Sequence, residues 1–170
     1  MDNSLLNNLE TFKIAVDSAF NHIIITDLDG KILYANRAVT RITGYSQEEV
    51  IGSTPRLWGG LMDPEFYKEM WHTIRDLGQP YSGEVDNKRK NGEIYHAVIF
   101  ISPIKNKEGK IVGYIGTEDD ITSIKKAQNE LQKKKDTLEK IDSYMVDREL
   151  KMMKLKLELE TLRDKITPHL

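Results

Sequence analysis

The last third of the chain contains almost nothing that can interrupt a helix. All 11 glycines and four of the five prolines lie before residue 121, and the next helix breaker is Pro168. Because glycine and proline break long helices, residues 121–166 are predicted to form one continuous helix, with residues 167–170 as a short tail. The turn-rich residues before 121 must therefore fold as a separate compact unit.

Apolar residues recur along this helix with the spacing of a coiled coil. With Ile124 at position a, eleven of thirteen a and d positions are apolar, and only Lys134 and Arg148 interrupt the series. Such a seam predicts a coiled coil about 65–70 Å long, and we expect its partner to be a second, parallel copy of the chain. The main seam residues are Ile124, Leu131, Leu138, Ile141, Met145, Met152, Leu155, Leu159, Leu162 and Ile166.

A second apolar stripe lies off this seam on the same helix. It consists of Val146, Leu150, Met153 and Leu157. A charge-rich helix usually presents only solvated residues outside its seam. The stripe is therefore interpreted either as an alternative register of the coiled coil or as a docking face for a further partner.

Composition excludes several classes of function. The chain has no cysteine, so it can form no disulfide, thiolate metal site or thiol nucleophile. Its net charge of −2, with lysines interspersed among acidic residues in the tail, predicts no nucleic-acid partner. No apolar run reaches the length of a membrane span and no signal peptide is recognisable, so we expect a cytoplasmic protein without a membrane segment.

The order of elements before residue 121 predicts an α+β fold. An apolar stripe through Leu5, Leu9, Phe12, Val16 and Ala19 indicates an amphipathic N-terminal helix within residues 1–20. Two β-rich runs then meet at a turn, several short helices follow, and three further strands end the unit. Because tight turns join successive strands, the sheet should be antiparallel with the helices on one face.

Local signals place the turns and helix starts within this order. The pairs Asp29-Gly30 and Asn91-Gly92 are hairpin signals, and Glu108-Gly109 precedes the last strand. Asn36 and Ser46 are predicted N-caps, the latter in a capping box with Glu49. Asp63 is predicted to cap a longer helix that starts at Pro64 and turns an apolar stripe inward: Phe66, Met70, Ile74 and Leu77.

Three ordered motifs resemble the PAS domain family. The segment from Tyr34 to Gly52 resembles the family signature around Asn36 and Gly44-Tyr45, and the segment 88–104 resembles its second half. Residues 113–122 carry the D-I-T close of the domain at Asp120, Ile121 and Thr122. The resemblance implies a five-stranded antiparallel sheet cupping a small pocket at residues 21–120, and a role in sensing or protein interaction.

Within this resemblance, two groups of residues are candidates for function. Asp120, Ile121 and Thr122 would pass a signal from the last strand to the long helix. A small-molecule pocket would be lined by aromatic and apolar side chains, although residues of this type at these spacings more often form a plain, ligand-free core: Tyr45, Trp58, Phe66, Met70, Trp71 and Tyr95.

No cofactor or metal is expected, although the pocket leaves room for an unidentified small molecule. Flavin-binding photosensor members carry a reactive cysteine where this chain has Pro55, so flavin–cysteine photochemistry is excluded. Haem-binding members use a histidine on the long helix of the domain, but His72 falls roughly 200° from that helix's apolar stripe. His96 is predicted to pack in or at the edge of a strand, and His22 has no partner at a metal-like spacing.

The sequence thus predicts a non-enzymatic sensor and dimerisation module that signals through the coiled coil to an output domain absent from this chain. Two alternatives stay open. The chain could be the sensory fragment of a histidine kinase in a two-component system, although it has no phosphoacceptor motif and no glycine after Gly116 for a nucleotide site. It could also be a ligand-free protein–protein assembly module.

Overall fold

The computed structural model describes residues 9–166, with side-chain environments for residues 10–163. The chain divides into two compact units, residues 1–123 and 124–170. The first unit begins with helix α1 (Leu9–Asp17), strands β1 (His22–Thr26) and β2 (Ile32–Ala35), and helices α2 (Arg37–Thr43), α3 (Gln47–Val50) and α4 (Pro64–Trp71). It continues with β3 (Tyr81–Lys88), β4 (Ile94–Lys105) and β5 (Ile111–Asp120), after which α5 runs from Thr122 to Ile166. Leu5 of the predicted N-terminal stripe lies outside the described residues.

The five strands form one antiparallel sheet in the order β2-β1-β5-β4-β3. The predicted five-stranded antiparallel fold and the long C-terminal helix are therefore confirmed. The predicted turns have the required geometry, since Gly30 and Gly92 adopt φ angles of 80° and 91°, which only glycine tolerates readily.

Alternate residues of each strand face the helices and form the core. On β1 these are His22, Ile24 and Thr26, which are all buried. Inward residues of adjacent strands lie opposite each other. Gly116 of β5 is opposite Ile24 of β1, and Ala97 of β4 is opposite Val85 of β3. Helices α2 and α3 cover this face with Val39 and Val50, both fully buried. Because side chains alternate between the two faces of a strand, every second residue of each strand points into this interior.

All three predicted helix starts are confirmed, but only two of the three predicted side-chain caps form. Ser46 and Glu49 form the capping box, and Asp63 accepts a hydrogen bond from the Phe66 N–H before Pro64. Asn36 stands at the start of α2 but its side chain makes no cap.

The Asn36 side chain instead ties three segments together. Its amide oxygen accepts the backbone N–H of Ile23, and its Nδ2 group donates to the carbonyls of Val16 and Asn21. Because Asn36 is fully buried, these bonds satisfy both ends of its amide. They hold the last turn of α1 and the residues that follow it against the first strand.

The second correction concerns the end of α4. The helix continues as one π-helical turn from His72 to Asp76, which adds a residue to the turn and shifts the phase of the residues that follow. Met70 and Ile74 are buried and Phe66 is half-buried, as predicted, but Leu77 is 54% exposed. The inward stripe therefore ends at Ile74.

Helix α5 spans 45 residues without a break. The described seam side chains are exposed in the single chain, from 47% at Leu155 to 69% at Leu131. The coiled coil predicted for them therefore stays a prediction. None of the described helices is long and apolar enough to cross a membrane.

We expect Gly113→Ala to lower the free energy of unfolding by about 2–3 kcal/mol. A Cβ at Gly113 would lie 2.3 Å from the Thr26 carbonyl oxygen, so strands β5 and β1 would have to separate. Gly116→Ala is the matched control, because its Cβ would meet only the Ile24 side chain, at 3.3 Å. Urea unfolding followed by tryptophan fluorescence measures both variants, and equal losses would contradict the prediction.

Candidate functional site

The residues predicted to line a pocket occupy two separate places. Trp58 and Tyr95 belong to the hydrophobic core, where they are 2% and 0% exposed, and Tyr45 and Phe66 pack against that core from its edge. Met70 is buried. Trp71 lies apart from this group, with its ring 5.6 Å from the Tyr114 ring and close to Gly30.

A buried carboxyl group stands beside Trp58 and Tyr95. Glu118, on the inward face of β5, is 6% exposed. The Tyr95 hydroxyl donates to its Oε1 over 2.6 Å and lies 3.5 Å from the Asn87 amide nitrogen. Asn87 and Trp58 also hydrogen-bond Glu118. Burial raises the pKa of the Glu118 carboxyl above its ordinary value, although these hydrogen bonds oppose the shift.

His22 completes this interior group, which we call the polar core: His22, Trp58, Asn87, Tyr95 and Glu118. The His22 ring packs edge-on against Trp58 with 5.0 Å between the ring centroids. Its Nδ1 atom lies 3.8 Å from Oε2 of Glu118 and has no hydrogen-bond partner. Burial lowers the pKa of His22 to about 4, so the ring is neutral at pH 7.

The sequence analysis missed Glu118 and Asn87 as site residues and found no partner for His22. A signal was present, because each of the three occupies an inward position of a strand whose inward neighbours are apolar or small. A polar residue at such a position needs a buried partner. The partners come from other strands, however, and only the sheet register brings them together.

The chain has no cysteine, so a flavin–cysteine adduct cannot form. His72 lies on the surface, with its side chain 59% exposed and Nδ1 3.1 Å from Asp76, so it does not point into the interior. Among the described residues no cluster of three metal-ligating side chains is found.

Arg89 connects the polar core with the end of β5. Its guanidinium lies 4.4 Å from the centre of the Tyr95 ring and donates to the Ile42 carbonyl of α2 and to Oδ2 of Asp120. The Arg89 side chain is only 19% exposed, so these contacts are largely shielded from water. One side chain thus links α2, β4 and the last residue of β5.

The predicted relay residues meet beside this arginine. Oδ1 of Asp120 accepts the backbone N–H of Thr122, the first residue of α5, over 2.9 Å. The Thr122 hydroxyl accepts the His96 backbone N–H, and the Ile121 N–H donates to the His96 carbonyl. The Arg89 guanidinium and the Thr122 contacts hold the pKa of Asp120 below its ordinary value, although burial opposes the shift. Asp120 therefore ties Arg89 to the first turn of the helix.

Comparison with known proteins places these features in a family. The family model described as "PAS domain" matches residues 21–123. Among solved structures, the PAS domain of a protein from Colwellia psychrerythraea has a TM-score of 0.61 at 29% identity and covers 68% of this chain and 98% of that one. An RNA-binding light-oxygen-voltage receptor has a TM-score of 0.67 at 26% identity, covering 78% of this chain and 38% of that one.

The curated relatives are much longer than this chain. A nitrogen fixation regulatory protein from Klebsiella oxytoca is 37% identical over 112 residues, which are 65% of this chain and 22% of the relative. A blue-light-activated histidine kinase from Brucella anthropi is 32% identical over 111 residues, again 65% and 22% of the two chains. The chain thus spans about a fifth of the length of these relatives.

We expect Arg89→Ala to lower the free energy of unfolding by about 2–3 kcal/mol, because it leaves the Ile42 carbonyl and the Asp120 carboxylate without their shared donor. Arg75→Ala is the control. Its side chain is 61% exposed and also lies over an aromatic ring, that of Trp71, so its loss should cost less than about 1 kcal/mol. Chemical denaturation of both variants checks this, and an Arg89→Ala protein as stable as Arg75→Ala would contradict it.

Proposed function

The chain belongs to the PAS domain family, and we propose that it is the sensor and dimerisation module of a signalling protein whose output domain lies outside this sequence. One observation carries the proposal. Side chains in contact run from buried Glu118 through Tyr95, Arg89 and Asp120 to Thr122, where α5 begins. A change in the interior would therefore reach the helix through side chains already in contact.

The connection between sheet and helix favours direct transmission. Only Ile121 separates the last residue of β5 from the first residue of α5, and its N–H is bonded to the His96 carbonyl. A displacement of β5 would thus move the first turn of α5 without being absorbed by a flexible linker. Asp120, Ile121 and Thr122 are the proposed relay residues.

The proposed output is a separate domain of regulatory or kinase type. The curated relatives carry the names nitrogen fixation regulatory protein and blue-light-activated histidine kinase, which supports a sensory role for the shared region. A histidine-kinase parent in a two-component system is one form of this proposal. The described residues, 9–166, offer no catalytic constellation, and we propose that any enzymatic activity belongs to the output domain.

A second candidate function is that of a ligand-free assembly module. It is favoured by the complete burial of Tyr95 and near-complete burial of Trp58, which fill the interior where a ligand would otherwise bind. Both candidates share the proposed homodimer. They differ in whether the interior responds to a stimulus.

The exposed seam of α5 supports a parallel homodimer. A helix with this many exposed leucine, isoleucine and methionine side chains is unfavourable in water and is stabilised when a second helix covers the stripe. Parallel pairing is proposed because it brings two sensor domains to the same end of the coiled coil.

We expect light scattering to give twice the 19.6 kDa chain mass at micromolar concentration, and Leu138→Glu to shift the protein to monomer. The substitution places a charge at an a position of the seam, where it would be desolvated on pairing. Asn129→Glu is the control, since position f faces away from the seam. A monomeric wild-type protein, or a Leu138→Glu protein that stays dimeric, would contradict the dimer as proposed.

The tail is further proposed to switch between two registers. Lys134 and Arg148 weaken the first seam, because a charged side chain costs stability in a dry interface. The stripe through Val146 and Leu150 offers a competing face after a rotation of the helix. Two registers within a few kcal/mol of each other would allow a modest change in the sensor domain to shift their populations.

Single cysteines report this register, since the chain has none of its own. In the switch model both Met145→Cys and Val146→Cys form disulfide-linked dimers, and replacing Lys134 and Arg148 together by leucine raises the yield at 145 and lowers it at 146. The leucine variant should also unfold at a higher temperature, because its first seam is uninterrupted. Strong cross-linking at 145 with none at 146 in every background would show a single register, and the second stripe would then be a docking face.

A further inference from the structure

We propose that His22 and Glu118 form a buried site for one exchangeable proton, and that Tyr95 and Arg89 communicate its gain or loss to Asp120 at the base of α5. The first half of the proposal concerns the interior alone. The second half rests on the proposed function, because it names the change in the interior that would be passed through the contacts from Glu118 to Thr122.

The geometry of the pair suits a proton held between two atoms. His22 and Glu118 are 1% and 6% exposed and stand opposite each other on β1 and β5. His22 Nδ1 lies 3.8 Å from Glu118 Oε2 and is an unpartnered buried atom. A neutral imidazole has one nitrogen that can accept a hydrogen bond, and a protonated carboxyl has one O–H to donate. If His22 Nδ1 and Glu118 Oε2 moved closer by less than 1 Å, they would form a hydrogen bond.

The surroundings favour the neutral pair over an ion pair. The side chains around Glu118 come from four elements: His22 from β1, Tyr95 from β4, Asn87 from β3 and Trp58 from the turn after α3. Asp120 on β5 is a nearby charged group. The Asp120 carboxylate opposes ionisation of Glu118, as burial does. His22 faces only Glu118 and the Trp58 ring among the contacts described, so burial opposes its charged form.

The pair is expected to hold one proton over a wider pH range than the unfolded chain does. Unfolded, His22 loses its proton near pH 6.5 and Glu118 near pH 4.5. Folded, His22 takes up a proton only near pH 4, and Glu118 keeps its proton above 4.5. From pH 4.5 up to pH 6.5 or the folded pKa of Glu118, whichever is lower, both states hold one proton in total, so the pair's contribution to stability is constant.

The sign of the pH dependence changes outside this window. Below pH 4.5 the unfolded chain binds two protons and the folded pair one, so stability falls as the pH falls toward the folded pKa of His22, about 4. The raised pKa of Glu118 contributes stability that is fully present below its unfolded pKa and is lost as the pH rises through its folded pKa.

Tyr95 contacts both Glu118 and Arg89, so it would connect a change in the protonation of Glu118 to the Arg89 guanidinium. Its hydroxyl donates to Oε1, so loss of the proton makes Glu118 a charged and stronger acceptor for that bond. The same ring lies under the Arg89 guanidinium. A new negative charge at Glu118 would therefore compete with Asp120 and Glu93 for this cation, and Asp120 accepts the Thr122 N–H.

Infrared spectroscopy in D2O tests the proton site on the whole chain. We expect a carboxylic-acid C=O band at pH 7, where exposed glutamates are ionised, and expect it to disappear in Glu118→Gln. Glu65→Gln is the control, because its side chain is 78% exposed, and it should leave the band unchanged. His22→Gln should shift the band, since it alters the group facing Oε2. Absence of the band at pH 7 in the wild-type protein, or its survival in Glu118→Gln, overturns the proton site.

Amide NMR of Thr122 tests the communication. Its N–H shift should follow the same titration as the infrared band, and Arg89→Gln should abolish this response while the band persists. If the band titrates and the Thr122 amide does not move, the communication through Arg89 is overturned. Failure of the proposed dimer is seen separately, because a monomer by light scattering leaves both spectroscopic results intact.

Discussion

The carboxyl group of Glu118 has almost no contact with water, and the interior of the sensor domain is organised around this constraint. A buried carboxyl needs hydrogen-bond partners or a proton. Tyr95, Asn87 and Trp58 supply the partners from two strands and a turn. The Nδ1 atom of His22, which has no hydrogen-bond partner, lies 3.8 Å from the other carboxyl oxygen, Oε2. The polar core therefore favours one register of the sheet, since a shift of one residue in a strand would turn His22, Asn87, Tyr95 or Glu118 to the outer face.

Arg89 is important for a related reason. A half-buried guanidinium is stable only where its donors meet acceptors, and here the acceptors are the Ile42 carbonyl of α2, the Glu93 carboxylate and the Asp120 carboxylate at the end of β5. Helix α5, which is 45 residues long, begins at Thr122, two residues after Asp120. The buried Glu118, the Arg89 guanidinium and the Asp120 carboxylate that accepts the Thr122 N–H are thus neighbours, which is the physical basis for proposing transmission rather than a purely structural domain.

The two corrections to the sequence analysis have one origin. Asn36 has the residue type and position of an N-cap, yet its amide bonds to Ile23, Val16 and Asn21 because those groups surround it in the folded domain. Leu77 fits the periodicity of α4, yet a π-turn changes the phase before it. Local patterns describe what a segment prefers alone, and they contain neither the neighbours that surround Asn36 in the folded domain nor the change of phase at His72–Asp76.

The sequence by itself determined the antiparallel five-stranded sheet, the turns at Gly30 and Gly92, the capping box and the long helix, because these depend on residue spacing and on the conformational limits of glycine and proline. It also determined that no cysteine chemistry can occur. The tertiary structure decided that His22, Asn87, Tyr95 and Glu118 share one interior and that Arg89 reaches Asp120. These residues come from different strands, and only the register of hydrogen-bonded strands brings side chains so distant in sequence within contact.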